Sequence, residues 1–157
     1  MFDSKIPINY LYNVPFNGFF MEHQLLAIID DDLLFRQILN AQINRIKASE
    51  RVITFENGLE AINYFRKAVD DTSIEIPSII FLDLNMPVMN GWEFLDHFSG
   101  LPTKVKEHAV IYIVTSSMVE EDMQRAKKYS DVSSYAVKPI TPAQLQELIK
   151  EYKPKYS

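Results

Sequence analysis

The chain has no cysteine, which excludes a disulfide framework, a thiol nucleophile and a thiolate metal site, and suits a reducing compartment. No apolar run approaches the roughly 20 residues that a membrane-spanning helix needs, and the first residues lack the basic stretch and apolar core of a secretory signal. The sequence reads as cytosolic. Positive charge is scarce: 16 Lys and Arg stand against 21 Asp and Glu, a formal net charge of −5. Such a balance carries no footprint for a phosphate backbone, so direct nucleic-acid binding is not expected. No glycine-rich phosphate turn follows the first apolar run, which argues against a dinucleotide-binding module. His23, His97 and His108 show neither metal-ligand nor triad spacing and are assigned no chemistry.

What is present is a chain of 157 residues with a 47% hydrophobic share, enough for one compact domain with a substantial core. Five short apolar runs recur: "LLAII" (25–29), "RVITF" (51–55), "SIIFL" (78–82), "AVIYIV" (109–114) and "SSYAV" (133–137). Most are nearly continuously apolar, as strands covered on both faces of a parallel sheet are. Helical spacing fills the gaps. Phe35, Ile38, Leu39, Ile43 and Ile46 fall on one face, as do Leu59, Ile62, Phe65 and Val69, and both stripes are expected to face the core. Asn57 with Glu60, Asn90 with Glu93, Ser117 with Glu120, and Thr141 with Gln144 behind Pro142 mark helix starts by capping chemistry. Trp92 and Phe94 are expected to pack or shield the third helix.

Five alternations of strand and helix predict an α/β fold, a doubly wound five-stranded parallel sheet of order 2-1-3-4-5. Residues 1–23 lie outside the pattern as an extension rich in aromatics, residues 24–153 form the patterned domain, and 154–157 are a tail. In that strand order the chain reverses between strands 1 and 3, and ligands bind outside the carboxyl ends of strands at such a reversal. Strand 1 delivers Asp30, Asp31 and Asp32 to that edge; strand 3 delivers Asp83 and then Asn85; strand 4 delivers Thr115; strand 5 delivers Lys138. Carboxylates from both flanking strands repel unless a cation joins them. Oxygen donors without His or Cys select Mg²⁺ or Mn²⁺. A Lys ammonium and a Thr hydroxyl aimed at such a site suit phosphoryl oxygens, which makes Asp83 a candidate nucleophile for an aspartyl phosphate. Alone, Asp32 reads as a solvated first-turn acid.

The ordered set "IIDDD", "FLDLNMPVMNG", "VTSS" and "YAVKP" resembles the receiver domain of two-component response regulators, over roughly residues 24–153. The resemblance implies a CheY-like, flavodoxin-like fold. It implies Asp83 as phosphoacceptor, Asp31 as a direct Mg²⁺ ligand, Asp30 as its partner through water, and Asn85 as a ligand through its main-chain carbonyl. It further implies Thr115 and Tyr135 as a switch pair, Lys138 as the site's lysine, and a cis Lys138–Pro139 bond. Departures from the pattern are few: Ser116 stands where many members have Ala, Asp32 adds a third acid, and Ser117 and Asn85 occupy positions where the family tunes phosphoryl lifetime. The implied partners are a sensor histidine kinase or a histidine phosphotransfer protein, and a target protein at the face of helix 4, strand 5 and helix 5. A homodimer formed on phosphorylation stays open. The rivals are an Mg²⁺-dependent aspartyl-phosphate phosphatase, disfavoured because Asn85 replaces the general acid such enzymes carry two residues after the nucleophile, and a phosphorylation-independent scaffold. The expected role is signalling, with no multiple-turnover enzyme activity.

Overall fold

The computed structural model describes residues 24–152; the extension at 1–23, residue 153 and the tail at 154–157 lie outside the described residues. Five strands, β1 (Leu25–Ile29), β2 (Arg51–Phe55), β3 (Ile79–Leu82), β4 (Val110–Thr115) and β5 (Val132–Val137), alternate with five helices. These are α1 (Leu33–Arg45), α2 (Gly58–Asp70), α3 (Gly91–Ser99), α4 (Glu120–Ala126) and α5 (Pro142–Glu151). A single helical turn, Thr103–Lys106, precedes β4; it is too short to leave a periodic signal in the sequence. All pairings are parallel and the order is β2-β1-β3-β4-β5, as expected. No helix among the described residues is long and apolar enough to cross a membrane.

Burial follows position in the sheet. The inner strands β1, β3 and β4 are buried at every residue, whereas the edge strands β2 and β5 are half exposed. One apolar layer joins Ala61, Ile62 and Phe65 of α2 to Phe94, Leu95 and Phe98 of α3. The other joins Leu39 and Ile43 of α1 to Leu145, Leu148 and Ile149 of α5. Phe65 meets Phe98 edge to face at 5.3 Å between centroids. Burial of rings this large contributes about 2–3 kcal/mol each.

The helix stripes differ from expectation at two places. Ile38 and Leu59 are exposed, at 47% and 38%, because the inward positions are taken by Leu39 and Ile43 on α1 and by Ala61, Ile62 and Phe65 on α2. Capping chemistry is realised at Asn57, which accepts from the Glu60 N–H, and as full capping boxes at Asn90 and Thr141. At α4 it is not. The helix begins one residue after Val119 with no side-chain cap, and the Ser117 hydroxyl instead donates to Asp122 Oδ2 at 2.6 Å. Asp32 is the N-cap of α1, accepting from the Phe35 N–H at 3.2 Å, one step outside the helical turn in which the sequence placed it.

Candidate functional site

The chain leaves each inner strand at the same edge of the sheet, and main-chain bonds fix where the side chains emerge. The Asp30 N–H donates to the Phe55 carbonyl at 3.1 Å, and the Asp83 N–H to the Ile29 carbonyl at 2.9 Å. Asp30 and Asp83 thus sit level on neighbouring strands. The turn "NMPVMNG" folds back so that the Gly91 N–H donates to the Leu84 carbonyl at 2.9 Å. A side chain at 91 would run into the Asp83 main-chain oxygen and come within 2.8 Å of Leu84 Cα, so only glycine allows the close return. Val88, at the tip of the turn, takes the left-handed conformation at φ 68° and is exposed.

The carboxylates of Asp30, Asp31 and Asp83 lie within 4.8 Å of one another. Asp30 and Asp83 are 1% and 5% exposed, while Asp31 faces solvent. Lys138 joins them from the end of β5, with Nζ 2.6 Å from Asp30 Oδ2 and 3.7 Å from Asp83 Oδ2. Its position follows from β4–β5 pairing, since the Lys138 N–H donates to the Thr115 carbonyl at 2.8 Å. The Leu84 N–H donates to Asp83 Oδ1 at 2.8 Å, and the Thr115 hydroxyl and Asn85 N–H lie near enough to favour the charged form of Asp83. Burial pushes the Asp83 carboxyl above the ordinary aspartate range, against the opposing pull of Lys138, Thr115 and the two main-chain N–H groups. Burial likewise raises Asp30; Lys138 and the Asp32 N–H oppose it, and the Asp83 charge adds to it.

Three clustered carboxylates with one ammonium leave a deficit of positive charge in a partly desolvated place. The donors are all oxygen, so the residues fit a hard divalent ion of the Mg²⁺ or Mn²⁺ class. Tyr135 stands one strand away, its hydroxyl donating to the Ser117 carbonyl at 2.9 Å, while the Ser117 N–H meets Thr115 Oγ1 at 3.3 Å. One loop therefore touches both Thr115 and Tyr135. The Lys138–Pro139 bond is cis.

Asp30, Asp31, Asp83, Asn85, Thr115 and Lys138, singled out in the sequence, lie at this edge, and Tyr135, two residues inside β5, reaches it through its hydroxyl. Two neighbours were not singled out. Arg36 is buried, and its Nη1 donates to the Asp30 carbonyl at 2.6 Å while Nη2 reaches Glu56 at 3.4 Å. The Phe35 ring centroid lies 4.1 Å from Lys138 Nζ. Helical periodicity marks Phe35 as core and Arg36 as surface; only the close packing of α1 against the acidic loop reveals either.

The family model for the response regulator receiver domain matches residues 26–150. The chain is 29% identical to a chemotaxis protein CheY homolog of Campylobacter jejuni over 80% of its own length and 89% of that protein's. It is 27% identical to the sporulation initiation phosphotransferase F of Bacillus subtilis, over 85% and 97%. Among solved structures, a two-component response regulator from Cytophaga hutchinsonii superposes with a TM-score of 0.68 at 31% identity, covering 79% of this chain and 92% of that one. Other curated relatives are longer: the chain spans 21% of a protein-glutamate methylesterase of Desulfotalea psychrophila and 48% of the probable transcriptional regulator ycf27 of Porphyra purpurea. A five-stranded sheet of order 2-1-3-4-5, an acid pair beside a strand-end aspartate and a facing lysine accord with a match over most of the chain: the protein belongs to the response regulator receiver domain family.

Proposed function

We propose that residues 24–153 act as a phosphorylation-controlled signalling switch in which Asp83 accepts a phosphoryl group from the phosphohistidine of a sensor histidine kinase or a histidine phosphotransfer protein. The observation that carries this reading is the placing of Asp83 within 3.7 Å of an ammonium and beside two further carboxylates and a hydroxyl. In the transfer, an Asp83 carboxylate oxygen forms a bond to phosphorus as the phosphorus–nitrogen bond breaks and the imidazole keeps the bonding pair. The side chains of Asp30, Asp31 and Asp83 and the main-chain carbonyl of Asn85 would hold Mg²⁺ or Mn²⁺. Bound there, the ion supplies positive charge to the phosphoryl oxygens. Lys138 and Thr115 supply the remaining charge and a hydrogen-bond donor.

The output follows from the same contacts. Thr115 turns its hydroxyl to the phosphoryl oxygen, and the loop that touches both Thr115 and Tyr135 couples that movement to the surface formed by α4, β5 and α5. A target protein reads that surface. A protein donor suits the rim. Of the seven exposed large hydrophobics among the described residues, six, Leu33, Leu34, Leu59, Val88, Met118 and Val119, lie within six residues after the carboxyl end of a strand, and Ile38 lies further along α1. Asn85 in place of a general acid argues against multiple-turnover phosphatase chemistry, and similarity to a methylesterase over 21% of that protein's length does not carry its activity.

Intact mass after incubation with Mg²⁺ and acetyl phosphate tests the reading. One added phosphoryl group, absent in Asp83→Asn and with EDTA, is the expected result. An unmodified wild type that still binds Mg²⁺ would leave a scaffold. Rapid donor turnover without an adduct would indicate a phosphatase.

A further inference from the structure

A lysine tip is a compact charge on a flexible four-carbon stem, and holding it in one place requires more than one contact. Lys138 has three around its ammonium: Asp30 Oδ2 at 2.6 Å, Asp83 Oδ2 at 3.7 Å and the Phe35 ring at 4.1 Å to the centroid. Only the first is within hydrogen-bond distance. A second carboxylate at that range would anchor the ammonium but compete with an incoming phosphoryl group for its donors. An aromatic face attracts the cation through its quadrupole without adding negative charge and without taking an N–H group.

Phe35 is well placed for this. Its N–H is tied to the Asp32 cap at 3.2 Å, and the next residue, Arg36, donates to the Asp30 carbonyl at 2.6 Å. One helical turn therefore fixes both the acidic loop and the ring. Phe35 packs against the apolar layer under α1 but remains half-buried, whereas the fully buried residues of that helix's apolar face are Leu39 and Ile43. The core contact alone does not require an aromatic here.

We propose that Phe35 is a positioning residue for phosphoryl acceptance, its ring acting as a shelf that holds the Lys138 ammonium within reach of Asp83. The inference rests on the reading of Asp83 as phosphoacceptor. If it holds, the ring's electron density sets the rate, and its bulk does not.

The test compares the whole chain with Phe35→Leu, Phe35→Tyr and a series carrying one to five fluorines on the Phe35 ring, which removes the quadrupole at nearly constant shape. The rate constant for acetyl phosphate at saturating Mg²⁺ should fall about three- to tenfold in Phe35→Leu. It should decline in steps with fluorination at unchanged melting temperature, and stay within about twofold in Phe35→Tyr. In metal-free protein, the Lys138 ammonium NMR signal should be sharp in wild type and broadened in Phe35→Leu. A fully active pentafluorinated ring, or Phe35→Leu at the wild-type rate with an unchanged ammonium signal, overturns the proposal. The metal-free signal separates the two readings. If wild type takes up no phosphoryl group, the phosphoacceptor role fails and with it this proposal, even though a signal that broadens in Phe35→Leu would show the shelf contact itself to be real.

Discussion

On the β1–β3 flank of the acidic pocket the chain is held by main-chain bonds: Asp30 to Phe55, Asp83 to Ile29 and Gly91 to Leu84, with a capping box at Asn90 closing the return into α3. On the β4–β5 flank, α4 has seven residues, no side-chain cap and one buried residue, Ala126. The register of β5 shifts at Ile111/Tyr112. The loop before α4 relies on side chains, Ser117 to Asp122 and Tyr135 to Ser117. Bonds between main-chain groups of a central sheet open only with large parts of the fold, whereas a short helix held by part-buried side chains opens locally. The flank that places the acceptor is the stiff one; the flank that would carry the output is the soft one.

The largest expected effect comes from breaking the stiff flank. Gly91→Ala drives a methyl into the Asp83 and Leu84 backbone, where nothing flexible can give way, and should cost about 3 kcal/mol or more. Chemical denaturation should show a lower midpoint with an unchanged slope, and phosphoryl uptake should fall with it.

Second comes the charge that the stiff flank confines. Burial holds Asp83 and Asp30 above the ordinary aspartate range, so the folded chain keeps protons at a pH where the unfolded chain has lost them. Metal-free stability therefore falls as pH rises from about 4 through the raised folded values. Asp83→Asn should flatten that decline and raise the metal-free midpoint at pH 7 by about 1 kcal/mol, roughly 2–4 °C for a chain of this size. Thermal melts across pH, with and without Mg²⁺, read both effects; a wild type as stable as Asp83→Asn in EDTA would contradict the assignment.

The smallest effect belongs to the soft flank. Arg125 lies 4.3 Å from the Trp92 ring centroid, Trp92 stacks on Tyr129 at 6.0 Å, and the Tyr129 hydroxyl donates to Asp96 at 2.6 Å, which together tie α4 to α3. Arg125→Ala should cost only about 0.5–1 kcal/mol. Amide exchange should nevertheless quicken in α4 and not in α1 or α5. Uniform quickening would mean that the two flanks open together.

Strand order, the acidic edge and the facing lysine were legible because each depends on a short local pattern: an apolar run ended by a carboxylate, a hydroxyl or an ammonium. Helix faces were less so. A 3.6-residue period assigns Ile38 and Leu59 to the core, but which side of a wide stripe is covered depends on neighbours distant in sequence. The start of α4 escaped because the helix begins at Glu120, past Val119, so the Ser117 hydroxyl stands two residues before the cap position, accepting from the Val119 N–H and donating to Asp122. Arg36 and Phe35 illustrate the limit of pattern, since a buried guanidinium and a ring under an ammonium are defined by what approaches them from other strands.

Lys138 and Asp30 are 108 positions apart and meet at 2.6 Å, while Asp30 follows β1, whose strand precedes the rest of the sheet in the chain. During synthesis the acids that follow β1 and β3 emerge before the ammonium that neutralises them, and closure must await the fifth strand. Such a non-local ending slows folding relative to a chain of local contacts. It also means that a nascent chain lacking Lys138 holds an incompletely neutralised acidic pocket: maturation of the site coincides with completion of the sheet.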